Sequence, residues 1–316
     1  MNGKKMIAVV GATGARGGGL VRAILADRSG PFTARAITRK TDSDKARALA
    51  ALGAEVVAGD ADDPASLDRA FAGCHGAFCV TNFWEHFSVD REGAQATAMA
   101  RASRKAGLQH VVWSTLEDSR TAVPLDDARL PTLQGRYKVP HFDSKGQVDR
   151  VFAAEAAPTS YVLAAFYWEN FIHFGMGPKA GPDGTLALTL PIGDKKMPGI
   201  ASGDIGKCAL GIFAKGRETI GTTIGIAGEH LTGAQMAAAF GRALGRTVRY
   251  NEVTPEAYRS FGFPGADDLG NMFQFKRDFE SIFCGARDPA VARALNPDLL
   301  SFDRWLDLHK SQIPLQ

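Results

Sequence analysis

The chain has 316 residues, 45% hydrophobic and 22% charged, with 37 Lys and Arg against 34 Asp and Glu for a net charge of +3. This composition belongs to a folded globular protein long enough for one large or two modest cores, which excludes extensive disorder. So small a basic surplus, with no run of five or six like charges, also argues against direct nucleic-acid binding.

In chain order, residues 6–10, 34–38, 55–58, 76–80 and 110–114 are short apolar or β-branched runs and predict buried strands. Helical patterns at 17–27, 43–52, 64–72 and 89–106 separate them. This alternation predicts an α/β fold, a Rossmann-type doubly wound parallel sheet whose ligands bind beyond the carboxyl ends of the strands. An irregular stretch, 115–138, follows and is long enough to suggest a functional or mobile loop. A helix is expected at 139–154 and a strand at 160–164. Beyond Phe166 the alternation weakens and Gly/Pro turns punctuate it, notably at 175–184, with helical segments at 204–213, 235–244 and 305–309. The predicted organisation is a cofactor-binding domain at 1–165 and a smaller α+β C-terminal lobe for substrate or partner at 166–316, with the chain free to cross back. The first apolar run is too short for a signal peptide or membrane span, and no later run is long and apolar enough to cross a bilayer. Cys74, Cys79, Cys208 and Cys284 match no metal or disulfide spacing. The expectation is a reduced, cytoplasmic protein without a metal, its thiols acting as small buried hydrophobes.

The strongest local motif is Gly11-Ala12-Thr13-Gly14-Ala15-Arg16-Gly17, placed between the first strand and first helix. Gly11 would permit a tight turn, Gly14 a close approach of pyrophosphate, and Gly17 packing of helix on strand. Together with the backbone of Thr13, Ala15 and Arg16, these residues predict a dinucleotide site. NAD-specific sites carry an acid at the end of the second strand; this chain has Thr38-Arg39-Lys40. A guanidinium pairs with a 2′-phosphate through two hydrogen bonds, so Arg39 and Lys40, with Arg16 as a further cation, point to NADP(H).

Further motifs are Gly53-Ala54-Glu55-Val56-Val57, Gly59-Asp60 with Asp62-Asp63, Val80-Thr81-Asn82-Phe83-Trp84-Glu85, His141-Phe142-Asp143-Ser144-Lys145-Gly146, Tyr167-Trp168-Glu169-Asn170, and Gly262-Phe263-Pro264-Gly265-Ala266 with Asn271-Met272-Phe273. In these and the glycine loop the chain resembles, over nearly its whole length, the NmrA-like family, an atypical branch of the short-chain dehydrogenase/reductase superfamily. It is most similar there to the NADPH-binding redox-sensor members of animal cells. The resemblance implies that Asp60 and Ala61 flank the adenine, and that Thr81, Asn82 and Phe83 border the ribose and pyrophosphate. It further implies that Lys145 reaches the nicotinamide ribose and that Tyr167, Trp168, Glu169 and Asn170 line the nicotinamide side. Core packing is the competing expectation for Phe83 and Trp84, and helix capping for Asp60.

Ordinary short-chain reductases place a Tyr four residues before the Lys and a Ser or Thr after the preceding strand. Here Ser114 and Lys145 are kept, but His141 stands at the acid position and Tyr137 lies a further turn back. Three readings follow. NADP(H) is a regulatory ligand of a redox or cofactor-level sensor acting on a protein partner. Alternatively, the protein is an NADPH-dependent reductase of a small carbonyl, quinone, imine or enone, with Lys145 or His141 supplying the proton. In the third, His141 is purely structural. A homodimer is compatible with each.

Overall fold

The computed structural model describes residues 3–155 and 157–315. The chain forms two compact units that share it alternately: Met1–Asp118, Ser144–Leu163 and Ser202–Ile224 in the first, and Ser119–Asp143, Ala164–Ala201 and Gly225–Gln316 in the second.

The first unit is built on β1 (Lys5–Val9), β2 (Phe32–Thr38), β3 (Glu55–Ala58), β4 (Gly76–Cys79), β5 (His110–Thr115) and β6 (Thr159–Leu163). These pair in parallel in the order β6-β5-β4-β1-β2-β3, and Thr223–Gly225 adds a seventh strand beside β6. Strand order reverses between β1 and β4, where an open α/β sheet leaves a crevice for ligands. β4 and β5 are buried along their whole length, as expected of central strands covered on both faces. The helices α1 (Ala15–Ala26), α2 (Asp44–Ala51), α3 (Pro64–Phe71) and α4 (Val89–Lys105) connect the strands. Ser43, Asp63 and Ser88 fix the starts of α2, α3 and α4 by accepting backbone N–H bonds. Leu67, Phe71, Met99, Trp113 and Phe152 meet in its core.

Two expectations change in this unit. The helix expected at 139–154 is broken into α5 (Pro140–Gly146) and α6 (Asp149–Ala154). A Cβ at Gly146 would lie 2.3 Å from the amide nitrogen of Asp118, so the glycine admits a neighbouring backbone where the helix stops. The helix Ser202–Lys215, expected in the C-terminal lobe, belongs to the first unit. It packs backbone to backbone on α1: a Cβ on Gly206 would come within 2.2 Å of the Leu20 amide nitrogen, and one on Gly19 within 3.0 Å of the Gly203 carbonyl oxygen.

The second unit is α+β. One three-stranded sheet joins Phe166–Tyr167, Lys196–Ile200 and Glu229–Thr232; another joins Lys179–Ala180, Leu186–Leu190 and Val248–Glu252. Helices Gly233–Leu244 and Phe302–His309 contribute to an aromatic core of Trp168, Phe171, Phe240, Phe302 and Trp305. The Gly/Pro stretch at 181–184 is the turn of a hairpin, with Asp183 accepting the Thr185 amide. The irregular stretch from Ser119 onward is anchored rather than loose. Lys138 Nζ donates to the carbonyls of Asp127 and Leu130, Asn271 to those of Pro131 and Lys138, and Gln274 to that of Arg129.

Among the described residues no helix is long and apolar enough to cross a membrane and no group of His, Cys, Asp or Glu is arranged to hold a metal ion. Cys74, Cys79 and Cys208 are buried, as small hydrophobes would be, whereas Cys284 is only half-buried; burial pushes the thiols of Cys79 and Cys208 up to about 12.

Candidate functional site

At the end of β1 the chain turns on Gly11, whose φ of +64° suits glycine. A Cβ on Gly17 would lie 2.5 Å from the Gly11 carbonyl oxygen, so α1 starts pressed against the turn that precedes it. Gly11, Gly14 and Ala15 are exposed, and Thr13 and Arg16 half-buried. Unlike the three helices that follow, α1 has no side-chain cap. Like α3, it also carries no acid in its first turn. The partly positive end of α1 therefore has no carboxylate of its own, at the point where strand order reverses. A helix start of this kind can hold an anion.

Arg39 and Lys40 follow β2 and are exposed. Both terminal nitrogens of Arg39 donate to Glu85, at 3.0 and 2.9 Å, and this bond raises the guanidinium pKa further. The guanidinium of Arg16 donates to Ser114 Oγ, at the end of β5, at 2.8 Å. Asp60 does not cap α3, which Asp63 does; its carboxylate accepts the Asp62 amide and shapes the loop past β3, with Ala61 half-buried beside it. Beyond β4, Asn82 is exposed while Phe83 is buried against Trp84 and Phe87, so Phe83 is an aromatic packing residue.

Deeper in the unit, Thr81, Glu92, Ser144 and Lys145 form one buried network. Lys145 Nζ donates to Glu92 Oε1 at 2.7 Å, to Thr81 Oγ1 at 2.5 Å and to the Thr81 carbonyl at 3.2 Å. The Thr81 hydroxyl donates on to Glu92 Oε1 at 2.6 Å, and Ser144 Oγ donates to Glu92 Oε2. An ammonium has three donors, and all three are used. Burial lowers the Lys145 pKa and the nearby Arg16 adds to this, while Glu92 holds it up. Next to it, Asp149 accepts from Trp113 Nε1 at 2.9 Å, and burial raises its carboxyl to about 6.

His141 is also buried: Asp268 accepts from its backbone N–H at 3.2 Å and meets Nδ1 at 2.6 Å. Helical spacing puts His141 and Lys145 on one helix, yet each side chain is held by a different carboxylate. Tyr137 does not stand in for the absent Tyr; it bridges to Leu133, and the guanidinium groups of Arg120 and Arg136 each lie 5.2 Å from its ring centroid. The Tyr167–Asn170 motif is also corrected in part. Trp168 is a core residue against Phe302 and Trp305, and Glu169 accepts from Trp305 Nε1 at 3.1 Å. Tyr167 and Asn170 remain half-buried. The side chains missed in sequence are Glu85, Glu92, Asp149 and Asp268. Of these, Glu92 carried a readable signal, since it shares a helical face with Gln95, Ala96 and Met99, where a lone acid on an apolar stripe needs a partner.

The NmrA-like family matches residues 3–306 of the chain. The chain is 30% identical over 293 residues to the NmrA-like family domain-containing oxidoreductase FrzB of a Cladobotryum species, covering 85% of this chain and 83% of the relative. It is 26% identical over 309 residues to the similarly described oxidoreductase lnaB of Aspergillus flavus, with 92% and 89% covered. Among solved structures, NmrA, a negative transcriptional regulator, in complex with NADP, is similar with a TM-score of 0.75 and 26% identity over 96% of this chain and 94% of that chain. The motifs, the doubly wound sheet and these likenesses agree: the chain belongs to the NmrA-like family.

Proposed function

We propose that the protein binds NADP(H) on its first unit and acts as a regulator that reads the cofactor, not as a Tyr-dependent reductase. Support for the cofactor comes from the uncapped start of α1 behind Gly11, Gly14 and Gly17, from Arg39 and Lys40 past β2, and from the relationship to NmrA, which has been solved with NADP. The backbone of Thr13 to Gly17 would hold the pyrophosphate, and Arg39 the 2′-phosphate, with Asp60 and Ala61 beside the adenine. Only in the reductase reading would the reduced nicotinamide be called on to supply a hydride.

The observation that carries the regulator reading is the buried Lys145–Glu92–Thr81 network. In a Tyr-dependent reductase the lysine serves both the ribose and the phenol. Here the phenol is replaced by His141, and the three Lys145 donors are committed to Thr81 and Glu92. A second reading, an NADPH-dependent reductase, draws support from the relatives described as oxidoreductases and from Asp268, which fixes the imidazole of His141 as an orienting carboxylate does for a general acid.

The test combines binding and turnover. NADPH should stabilise the protein against heat more than NADH at equal concentration, and Arg39→Ala should weaken NADPH by about tenfold while leaving NADH nearly unchanged. Absorbance of the reduced nicotinamide should stay constant with representative aldehydes, quinones, imines and enones. Steady turnover of any of them overturns the regulator reading in favour of the reductase.

A further inference from the structure

The inference rests on NADP(H) binding and concerns what competes for Arg39. All its parts lie in the first unit. Arg39, directly after β2, and Glu85, the last residue of the 3-10 turn Phe83–Glu85, form a two-point pair. This planar fork is the geometry with which a guanidinium recognises a phosphate, so Glu85 and a 2′-phosphate would seek the same donors. Asp60 and Asp62 also act on the Arg39 charge. Asp62, however, is held by Arg91 at 2.6 Å and by Gln95 at 3.1 Å, and Asp60 accepts the Asp62 amide. Glu85 is the carboxylate bonded to Arg39. Both side chains are substantially exposed, 56% and 42%, so the pair can exchange for another anion.

The chain just after Glu85 holds local strain. Phe87 has a φ of +54°, unfavourable for a bulky side chain, and His86 Nε2 is buried without a hydrogen-bond partner. Trp84 packs edge-on against Phe83 and Phe87, with centroids 5.5 and 5.7 Å away, so its emission reports the arrangement of the turn. The turn leads into Ser88, the cap of α4, the helix that carries Glu92.

We propose that Glu85 is a specificity determinant: it competes with the adenosine 2′-phosphate for Arg39, tempering the preference for NADP(H) over NAD(H), and binding of that phosphate releases the Phe83–Glu85 turn. Loss of the Glu85 charge sharpens the preference, and the released turn is the moving part that a cofactor-reading protein needs, since a ligand shifts only an equilibrium whose two states it binds unequally.

The experiment titrates adenosine 2′,5′-bisphosphate and ADP, which lack the nicotinamide, into the wild type, Glu85→Gln, Arg39→Ala and the double variant, by calorimetry and tryptophan emission. Glu85→Gln should bind the bisphosphate about fivefold tighter and ADP unchanged within about twofold, and the gain should vanish in the Arg39→Ala background. The bisphosphate should alter emission in the wild type, ADP should not, and Trp84→Phe should abolish the response. Equal bisphosphate affinity in wild type and Glu85→Gln overturns the competition while leaving NADP(H) binding intact. Silent emission overturns release of the turn. If neither the wild type nor Glu85→Gln binds the bisphosphate, or NADP+ titrated in the same way, the cofactor reading falls and the competition with it.

Discussion

Glu85 and Glu92 stand on adjoining elements and each holds a cation, yet burial makes them opposite devices. The side chains of Lys145 and Glu92 are 4% and 0% exposed, those of Arg39 and Glu85 56% and 42%. In the interior, each charge has lost its water and depends on the other, so removal of one partner leaves an uncompensated ion. At the rim, both remain hydrated and parting costs little. The same chemical pair is thus a fixed floor in one place and an exchangeable contact in the other. Lysine and arginine are also divided sensibly between them, the compact ammonium in the closed network and the phosphate-matching fork where an anion can reach it.

The largest expected effect separates these two cases. Glu92→Gln keeps the shape of the side chain but strips Lys145 of its counterion, and should cost about 3–5 kcal/mol of stability in denaturant unfolding. Adding Lys145→Met should restore most of the loss, because an apolar pair tolerates burial that a single charge does not. A loss below about 1 kcal/mol, or a double variant weaker than Glu92→Gln alone, would show that the network is not a buried lock.

Next in size is a pH effect at Asp149, beside the same network. Burial raises its carboxyl to about 6 in the folded protein, against an ordinary value near 4. The folded state therefore keeps this proton longer than the unfolded chain. Its contribution is full below about pH 4 and is lost as pH rises through about 6. Asp149→Asn retains an acceptor for Trp113 Nε1 but does not titrate. The stability of the variant relative to wild type should climb by about 2 kcal/mol between pH 4 and 7. A constant difference over that range would mean that Asp149 is not raised.

The contrast also explains what could be read from sequence. The strands and helices up to β5 fall within a few residues of their expected limits, because their signals are local: short apolar runs, and helices opened by Ser43, Asp63 and Ser88. The glycine turn was legible for the same reason. Glu92 and Lys145 are 53 residues apart, and His141 and Asp268 127, so neither pairing can be seen in a window of sequence. The break at Gly146 and the placement of Ser202–Lys215 on α1 depend on a glycine meeting a distant backbone. Trp168 belonged to a recognisable motif, but whether an aromatic faces a ligand or a core is decided by what packs on it, here Phe302 and Trp305.

The smallest effect is the most discriminating. Glu85→Gln should change unfolding stability by no more than about 0.5–1 kcal/mol, because an exposed pair is screened and loses side-chain freedom when it forms. That small change should shrink further as salt is raised toward 1 M, where the screening length falls to about 3 Å, whereas the loss in Glu92→Gln should persist because buried charges are screened far less. Near-neutral stability with altered bisphosphate affinity is what an exchangeable contact requires: the residue matters to the ligand and hardly at all to the fold. If Glu85→Gln costs as much as Glu92→Gln, and does so at high salt, then burial does not separate the two pairs. Arg39 would then be a structural cation, too tightly held to turn toward a phosphate.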